Sequence, residues 1–147
     1  MSKEWAIILG ASSGLGLASA QKLGKEGFSI VAIYRGRRSD AKEAEKAYNT
    51  IRKQGVEVLN LNVNALEKPL IETTLNDIKD QIGSGSVKLL LHSIARGNLK
   101  PLYAEDGNVL QEEDYLLTIQ AMATSLITWA QEIIIRNLFA TDARILS

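Results

Sequence analysis

The stretch IILGASSGLGLASA carries the residues with the most direct chemistry. Gly10, Gly14 and Gly16 stand in a G-x-x-x-G-x-G spacing with Ser12, Ser13 and Leu15 among them. The turn comes directly after a short apolar run and opens a small-residue helical stretch, the context that gives such a spacing meaning. Glycines admit a tight strand-to-helix turn and a close approach of backbone to ligand. Free amides at the helix N-terminus, with the hydroxyls of Ser12 and Ser13, can meet a pyrophosphate. A Walker loop is excluded because no Lys-Ser/Thr pair comes after the glycines. Three readings remain: a dinucleotide site, a methyltransferase site, and a bend that only packs a helix on a sheet.

A second group narrows these. Tyr34-Arg35-Gly36-Arg37-Arg38 stands about twenty residues beyond the turn, where an acidic residue would hold a ribose 2′-hydroxyl. A methyltransferase would also want a carboxylate there. A guanidinium pairs instead with a 2′-phosphate, so the expected ligand is NADP (NADPH) rather than NAD, with Arg35 the first contact and Arg37 or Arg38 assisting. The competing reading of the basic run is a solvated loop before a helix.

These residues need a frame. Apolar runs at 5–9 (WAIIL), 29–34 (SIVAIY), 56–61 (VEVLNL), 87–92 (VKLLLH) and 143–147 (ARILS) suit strands buried on both faces. Between them, apolar stripes at three- or four-residue steps predict helices: Leu15 to Leu23, Ala41-Ala44-Tyr48-Ile51, Leu66-Leu70-Ile78-Ile82, and Leu116-Ile119-Ala123-Leu126-Ala130-Ile133. The β-α alternation calls for a doubly wound parallel sheet with right-handed crossovers, strand order 3-2-1-4-5. Residues 95–111 form the one long irregular stretch, placed where a binding loop would lie.

Composition bounds the partners. Seventeen basic side chains balance seventeen acidic ones, so no net field favours nucleic acid or an anionic membrane. There is no cysteine and one histidine, His92, which removes disulfides, thiolate metal sites and zinc. The first apolar run is too short for a signal peptide or a membrane span. A cytoplasmic location is expected.

GASSGLG on the first turn and YR after the second strand resemble the short-chain dehydrogenase/reductase family. The resemblance makes residues 1–147 the dinucleotide-binding N-terminal portion of one Rossmann-type domain. It implies that Asn62-Val63 stands where the family's Asp-Val pair holds adenine, and that Ser93, Ile94 and Ala95 line the nicotinamide ribose. HSIA at 92–95, where the family usually has Asn-Asn-Ala-Gly, resembles the HSI segment of enoyl-acyl-carrier-protein reductases, and GNLKPL, MATSL and DARILS fit that group. The glycine turn is of the general family type. The resemblance also puts Met122 at the place of a proton-relaying asparagine in ketoreductase-type members, and a thioether cannot relay protons. His92, although the only imidazole, is read as a strand-end residue bonded to neighbouring backbone.

The implied activity is reduction of the 2,3 double bond of an acyl thioester, carried on acyl carrier protein, in fatty-acid synthesis. A ketoreductase and a non-catalytic dinucleotide-binding module are the alternatives. The family's chemistry needs Tyr-x-x-x-Lys or Tyr-x6-Lys. From the four tyrosines, four steps lead to Arg38, Arg52, Gly107 and Ile119, and seven lead to Ala41, Gly55, Leu110 and Met122. None is lysine. No catalytic residue is therefore assigned, the 147 residues alone are expected to be inactive, and the sheet is expected to be incomplete on its C-terminal side. Trp129 and Ile133-Ile134-Ile135 make the long helix apolar on more than one face, from which a homo-oligomer, dimer or tetramer, is expected.

Overall fold

The computed structural model describes residues 3–147. Five parallel strands lie in the order β3-β2-β1-β4-β5, as the alternation of patterns requires. They are β1 (Trp5–Leu9), β2 (Ser29–Tyr34), β3 (Val58–Asn62), β4 (Val87–His92) and β5 (Phe139–Leu146). The helices are α1 (Gly14–Lys25), α2 (Arg38–Arg52), α3 (Lys68–Ile82), α4 (Glu112–Ile119) and α5 (Ser125–Ile135).

β1 and β2 are buried at every position, so each strand sends alternate side chains to two different cores. Ile7, Leu9, Val31 and Ile33 face one layer with Ile71, Leu75 and Ile78 of α3 and Trp129 and Ile133 of α5. Ala6, Ile8, Ile30 and Ala32 face the other with Ala20 of α1 and Ala44, Tyr48 and Ile51 of α2. At about 1.5–3 kcal/mol for each large aliphatic side chain removed from water, this two-sided burial fixes the sheet. It also fixes where the strands' carboxyl ends stand.

The structure departs from the sequence pattern in three places. β3 starts two residues later and ends one later than its apolar run, because its pairing begins at Ile30↔Val58 and closes at Tyr34↔Asn62. β5 begins at Phe139 rather than Ala143. Its pairing jumps from Val87↔Phe139 to Leu89↔Arg144, and Asp142 takes a positive φ of 60° in the bulge between. The polar residues of that bulge hide the strand from a search for apolar runs.

The third departure is in the long helix, which is interrupted by a π-helical turn at Gln120–Thr124. A π turn inserts an extra residue and rotates the helix beyond it. The expected stripe is buried only in its second half: Leu116 and Ile119 are exposed, Leu126 and Ala130 pack part-buried against the core, and Ala121, Ser125, Trp129 and Ile133 are buried at four-residue steps. Trp129 is 0% exposed and its indole N–H donates to the Ala65 carbonyl at 2.9 Å. Trp129 itself thus packs inside the chain's own core. The residues open to solvent are its neighbours Met122, Ile127, Ile134 and Ile135.

The outer face of β5 is mostly solvent-exposed, Ile145 and Leu146 included. Residues 93–111 form no regular element, which matches the long irregular stretch. Among the described residues no helix is long and apolar enough to cross a membrane, and no group of three or more His, Asp or Glu side chains is placed to hold a metal ion.

Candidate functional site

The carboxyl ends of β1 and β4 are neighbours, paired through Leu9↔His92. Above them opens a cleft of about 950 Å³, at the point where the strand order reverses and ligands of such sheets bind. It is lined by the glycine turn (Gly10, Ser12, Ser13, Gly14, Leu15), the end of β2 (Ile33 to Arg37), Asp40, the segment after β3 (Val63 to Leu66) and the segment after β4 (Ser93 to Arg96).

Two glycines are fixed by close approach. A Cβ at Gly10, whose φ is +84°, would lie 2.2 Å from the Ser93 carbonyl oxygen, and one at Gly16 would lie 2.1 Å from the Gly10 carbonyl oxygen. A side chain at Gly10 would push the turn off the segment that follows β4, and one at Gly16 would push α1 off the turn. Gly14 differs, because its Cβ position meets nothing within 4 Å and the residue faces the cleft. That is open room beside the first turn of α1. Ser13 takes the N-cap position without spending its hydroxyl on a cap, and no acidic side chain stands in the helix's first turn. The amides and partial positive charge of this terminus are therefore free for an anion. These features fit a pyrophosphate.

The end of β2 supplies charge. Arg35 and Arg37 line the cleft, and among the described residues the ion pairs involve neither of them. Arg38 is the first residue of α2 and lies outside the lining, so the structure does not bring it to the site with the other two. Asp40 was not legible as a site residue. Its Oδ2 accepts from the Arg37 amide at 2.9 Å at the start of α2. The cue available was its place three residues after Arg37, where an acidic side chain favours a helix start.

Asn62 also lies outside the lining. Its Oδ1 accepts from the Gly36 amide at 3.2 Å and its Nδ2 donates to the Gly36 carbonyl at 3.0 Å. Its side chain is thus bonded to the arginine-bearing loop. Val63, its partner in the resemblance, does line the cleft, anchored by its amide to the Tyr34 carbonyl at 2.8 Å. Gly16 serves beneath the turn and does not line the cleft. Ser93, Ile94 and Ala95 all line it, with the Ser93 amide held by the Leu9 carbonyl at 2.8 Å. Arg96, Asn64, Ala65 and Leu66 were missed, each the immediate continuation of a segment whose start was legible.

His92 is 5% exposed and outside the lining. Its Nε2 stands 2.8 Å from the Ser125 hydroxyl, which itself donates to the Ala121 carbonyl at 2.9 Å. With that hydrogen committed, the ring must donate from Nε2. Burial pushes its pKa down, so a neutral ring ties β4 to the π turn. The sequence pattern suggested a ring bonded to backbone. The structure adds a side-chain partner, the Ser125 hydroxyl, to the neighbouring backbone of Ala121.

Of the four tyrosines, Tyr34 at the end of β2 lines the cleft and is buried there, and the other three stand outside the lining. Tyr48 is buried, its hydroxyl donates to the Ala11 carbonyl at 3.1 Å, and burial raises its pKa. It props the glycine turn from beneath. Tyr103 and Tyr115 are exposed and lie outside the cleft lining.

A family model described as short chain dehydrogenase matches residues 4–144. The chain belongs to the short-chain dehydrogenase family. Among curated short-chain dehydrogenase relatives, 3-oxoacyl-[acyl-carrier-protein] reductase FabG of Staphylococcus aureus is 28% identical over 94 residues, which is 64% of this chain and 37% of that protein. Among solved structures, a short-chain dehydrogenase/reductase of Serratia marcescens aligns with a TM-score of 0.77 at 19% identity, covering 98% of this chain and 54% of that one. L-sorbose reductase of Gluconobacter frateurii, complexed with NADPH and L-sorbose, aligns at 0.74 and 21% identity, covering 92% and 48%. The chain thus spans little more than a third of the curated relative and about half of the structural neighbours. The relative named is a 3-oxoacyl reductase, whereas HSIA had pointed to an enoyl reductase.

Proposed function

We propose that this chain forms the NADPH-binding portion of a short-chain reductase acting on acyl thioesters. The observation that carries the reading is the meeting, in one cleft, of an open helix N-terminus at Gly14 with two cleft-lining guanidinium groups at Arg35 and Arg37. The first suits a pyrophosphate and the second a 2′-phosphate. NADPH in the complex of one structural neighbour is consistent with it.

The nicotinamide cofactor supplies hydride when bound. The chain's own part is to hold and orient it. Gly10 and Gly16 set the turn, Ser12, Ser13 and the α1 amides take the pyrophosphate, and Val63 borders the adenine. Ser93, Ile94 and Ala95 form the wall at the nicotinamide end. Proton donation to the reduced substrate is not assigned to any residue here. It belongs to the Tyr and Lys that the family resemblance implies, in a longer chain than these residues.

The leading substrate is a 3-oxoacyl thioester, as in the FabG relative's name. Reduction of a 2,3-enoyl thioester is favoured by one observation: Met122, 48% exposed, occupies the π turn where the resemblance places a relaying asparagine. Acetoacetyl and crotonyl thioesters, offered with NADPH to the full-length protein, separate the two. Consumption of NADPH with acetoacetyl thioester alone supports the first, and with crotonyl thioester alone the second. Binding of NADPH without turnover of either leaves a cofactor-binding module. A homo-oligomer is also proposed, supported by exposed Ile127, Ile134 and Ile135 on α5 and tested by light scattering.

A further inference from the structure

We infer that Tyr48 is a positioning residue for the cofactor: its buried hydroxyl holds the Ala11 carbonyl and thereby aims the Ser12 amide into the cleft. The inference rests on the dinucleotide reading above, but not on the choice between NADPH and NADH.

Tyr48 stands on α2 and is 0% exposed. It lies outside the cleft lining, so it acts through the residues it touches. Its hydroxyl donates to the Ala11 carbonyl at 3.1 Å. Ala11 is itself fully buried, which leaves that carbonyl no access to water. The turn's backbone is held from the other side by β2: the amides of Gly10 and Ala11 both donate to the Ile33 carbonyl, at 2.9 and 3.1 Å. The turn is thus pinned by β2 through two N–H groups and by α2 through one C=O.

The peptide joining Ala11 to Ser12 is planar and trans, so its C=O and N–H point in opposite directions. With the carbonyl turned towards the phenol of α2, the Ser12 N–H is turned away from it. Ser12 lines the cleft, and among the described residues its amide donates to no backbone carbonyl. That donor is open to a phosphate or ribose oxygen in the part of the cofactor that NADPH and NADH share. Without the phenol oxygen the Ala11 carbonyl would be buried and unpaired, and the peptide would gain by rotating towards another donor. The same rotation swings the Ser12 N–H off its line.

Burial raises the Tyr48 pKa, so the hydroxyl keeps its hydrogen through neutral and mildly alkaline pH. The ring packs against Tyr34, the residue before Arg35, with centroids 6.2 Å apart. Tyr48→Phe keeps that ring contact and removes the hydroxyl alone, which makes it the diagnostic change.

The test is a fluorescence titration of the full chain with NADPH and with NADH, for wild type, Tyr48→Phe, Arg35→Ala and the two combined. Tyr48→Phe is expected to weaken both cofactors by the same factor, about tenfold, the range one misdirected hydrogen bond to a charged group can transmit. The preference between the cofactors is expected to stay as in wild type. Arg35→Ala is expected to weaken NADPH alone, and the two losses to multiply, because the hydroxyl and the guanidinium share no partner. Urea denaturation shows that each variant is folded under the titration conditions. Amide exchange supplies a readout that lost stability alone would not move: saturating NADPH is expected to slow exchange at Ser12 strongly in wild type and by less in Tyr48→Phe.

Unchanged affinity for both cofactors in folded Tyr48→Phe overturns the inference, as does a loss confined to NADPH, which places the effect at the arginine end. Equal slowing of Ser12 exchange in the two proteins also overturns it. A wild type that binds neither cofactor overturns the dinucleotide reading and this inference with it. A wild type that binds both equally overturns only the 2′-phosphate reading, and equal weakening of both by Tyr48→Phe then still upholds this inference.

Discussion

Alanine at Gly10 and at Gly14 should have different effects, because one glycine faces the protein and the other faces the cleft. At Gly10 a Cβ would stand 2.2 Å from the Ser93 oxygen and 2.8 Å from its carbonyl carbon, at a φ of +84°. Both obstacles are backbone, so relief requires the ends of β1 and β4 to separate by about 1 Å, at a cost of about 3 kcal/mol or more. At Gly14, with φ +54° and nothing within 4 Å, the cost is only the left-handed strain of about 1–2 kcal/mol. Part of that is returned, about 0.4–1 kcal/mol, by stiffening the unfolded chain. The new methyl group, however, occupies the room beside the α1 amides. Urea denaturation should therefore show a large loss for Gly10→Ala and a loss under about 2 kcal/mol for Gly14→Ala. Fluorescence titration with NADPH should show Gly14→Ala, still folded, weakened by tenfold or more. Unchanged NADPH affinity in a folded Gly14→Ala protein would refute the assignment of that space to a ligand.

Trp129→Phe keeps an aromatic ring but removes the donor to the Ala65 carbonyl, leaving that oxygen short of a partner and a small void. A loss of about 2–3 kcal/mol is expected in urea denaturation. A loss under about 0.5 kcal/mol would show that the bond is not holding the segment after β3. His92 gives an acid-side signature. Its folded pKa lies below the ordinary 6.5, so between the two values the unfolded chain binds more protons than the folded one. The ring's contribution is complete above pH 6.5 and is lost as pH falls towards the folded value. The urea midpoint of wild type should drop over that window, and that of His92→Gln should drop less. Parallel curves would mean that the ring does not titrate as placed.

Much of the fold was legible because two-sided burial of β1 and β2 leaves uninterrupted apolar runs, and because the glycine turn sits in the one context where its spacing has meaning. β5 was legible only in its second half, since Thr141 and Asp142 in the bulge break the run. The helix stripe from Leu116 failed for a different reason. A π turn is a backbone event with no residue signature, and with it Ala123 is exposed and Leu126 only part-buried, while Ala121, Ser125 and Trp129 are buried. In the site, Gly14 and Arg35 were found where glycine or charge marked them, and Ser93 through the family resemblance. Asp40 and Arg96 went unnoticed because a charged side chain at a loop or helix start has an ordinary explanation in solvation. Asn62 was placed by resemblance to a ligand-contacting position. Its hydrogen bonds depend on how the end of β2 bends, which spacing does not encode.

The central claim is that the cleft holds NADPH through guanidinium groups at the end of β2. Isothermal titration of the purified chain with NADPH and NADH, in wild type and Arg35→Asp, tests it most directly. Charge-assisted hydrogen bonds of about 1.5–3 kcal/mol predict a wild-type preference for NADPH of roughly tenfold to a hundredfold, abolished or reversed in the variant. Equal affinity for the two cofactors in wild type, or a preference that survives Arg35→Asp, would contradict it.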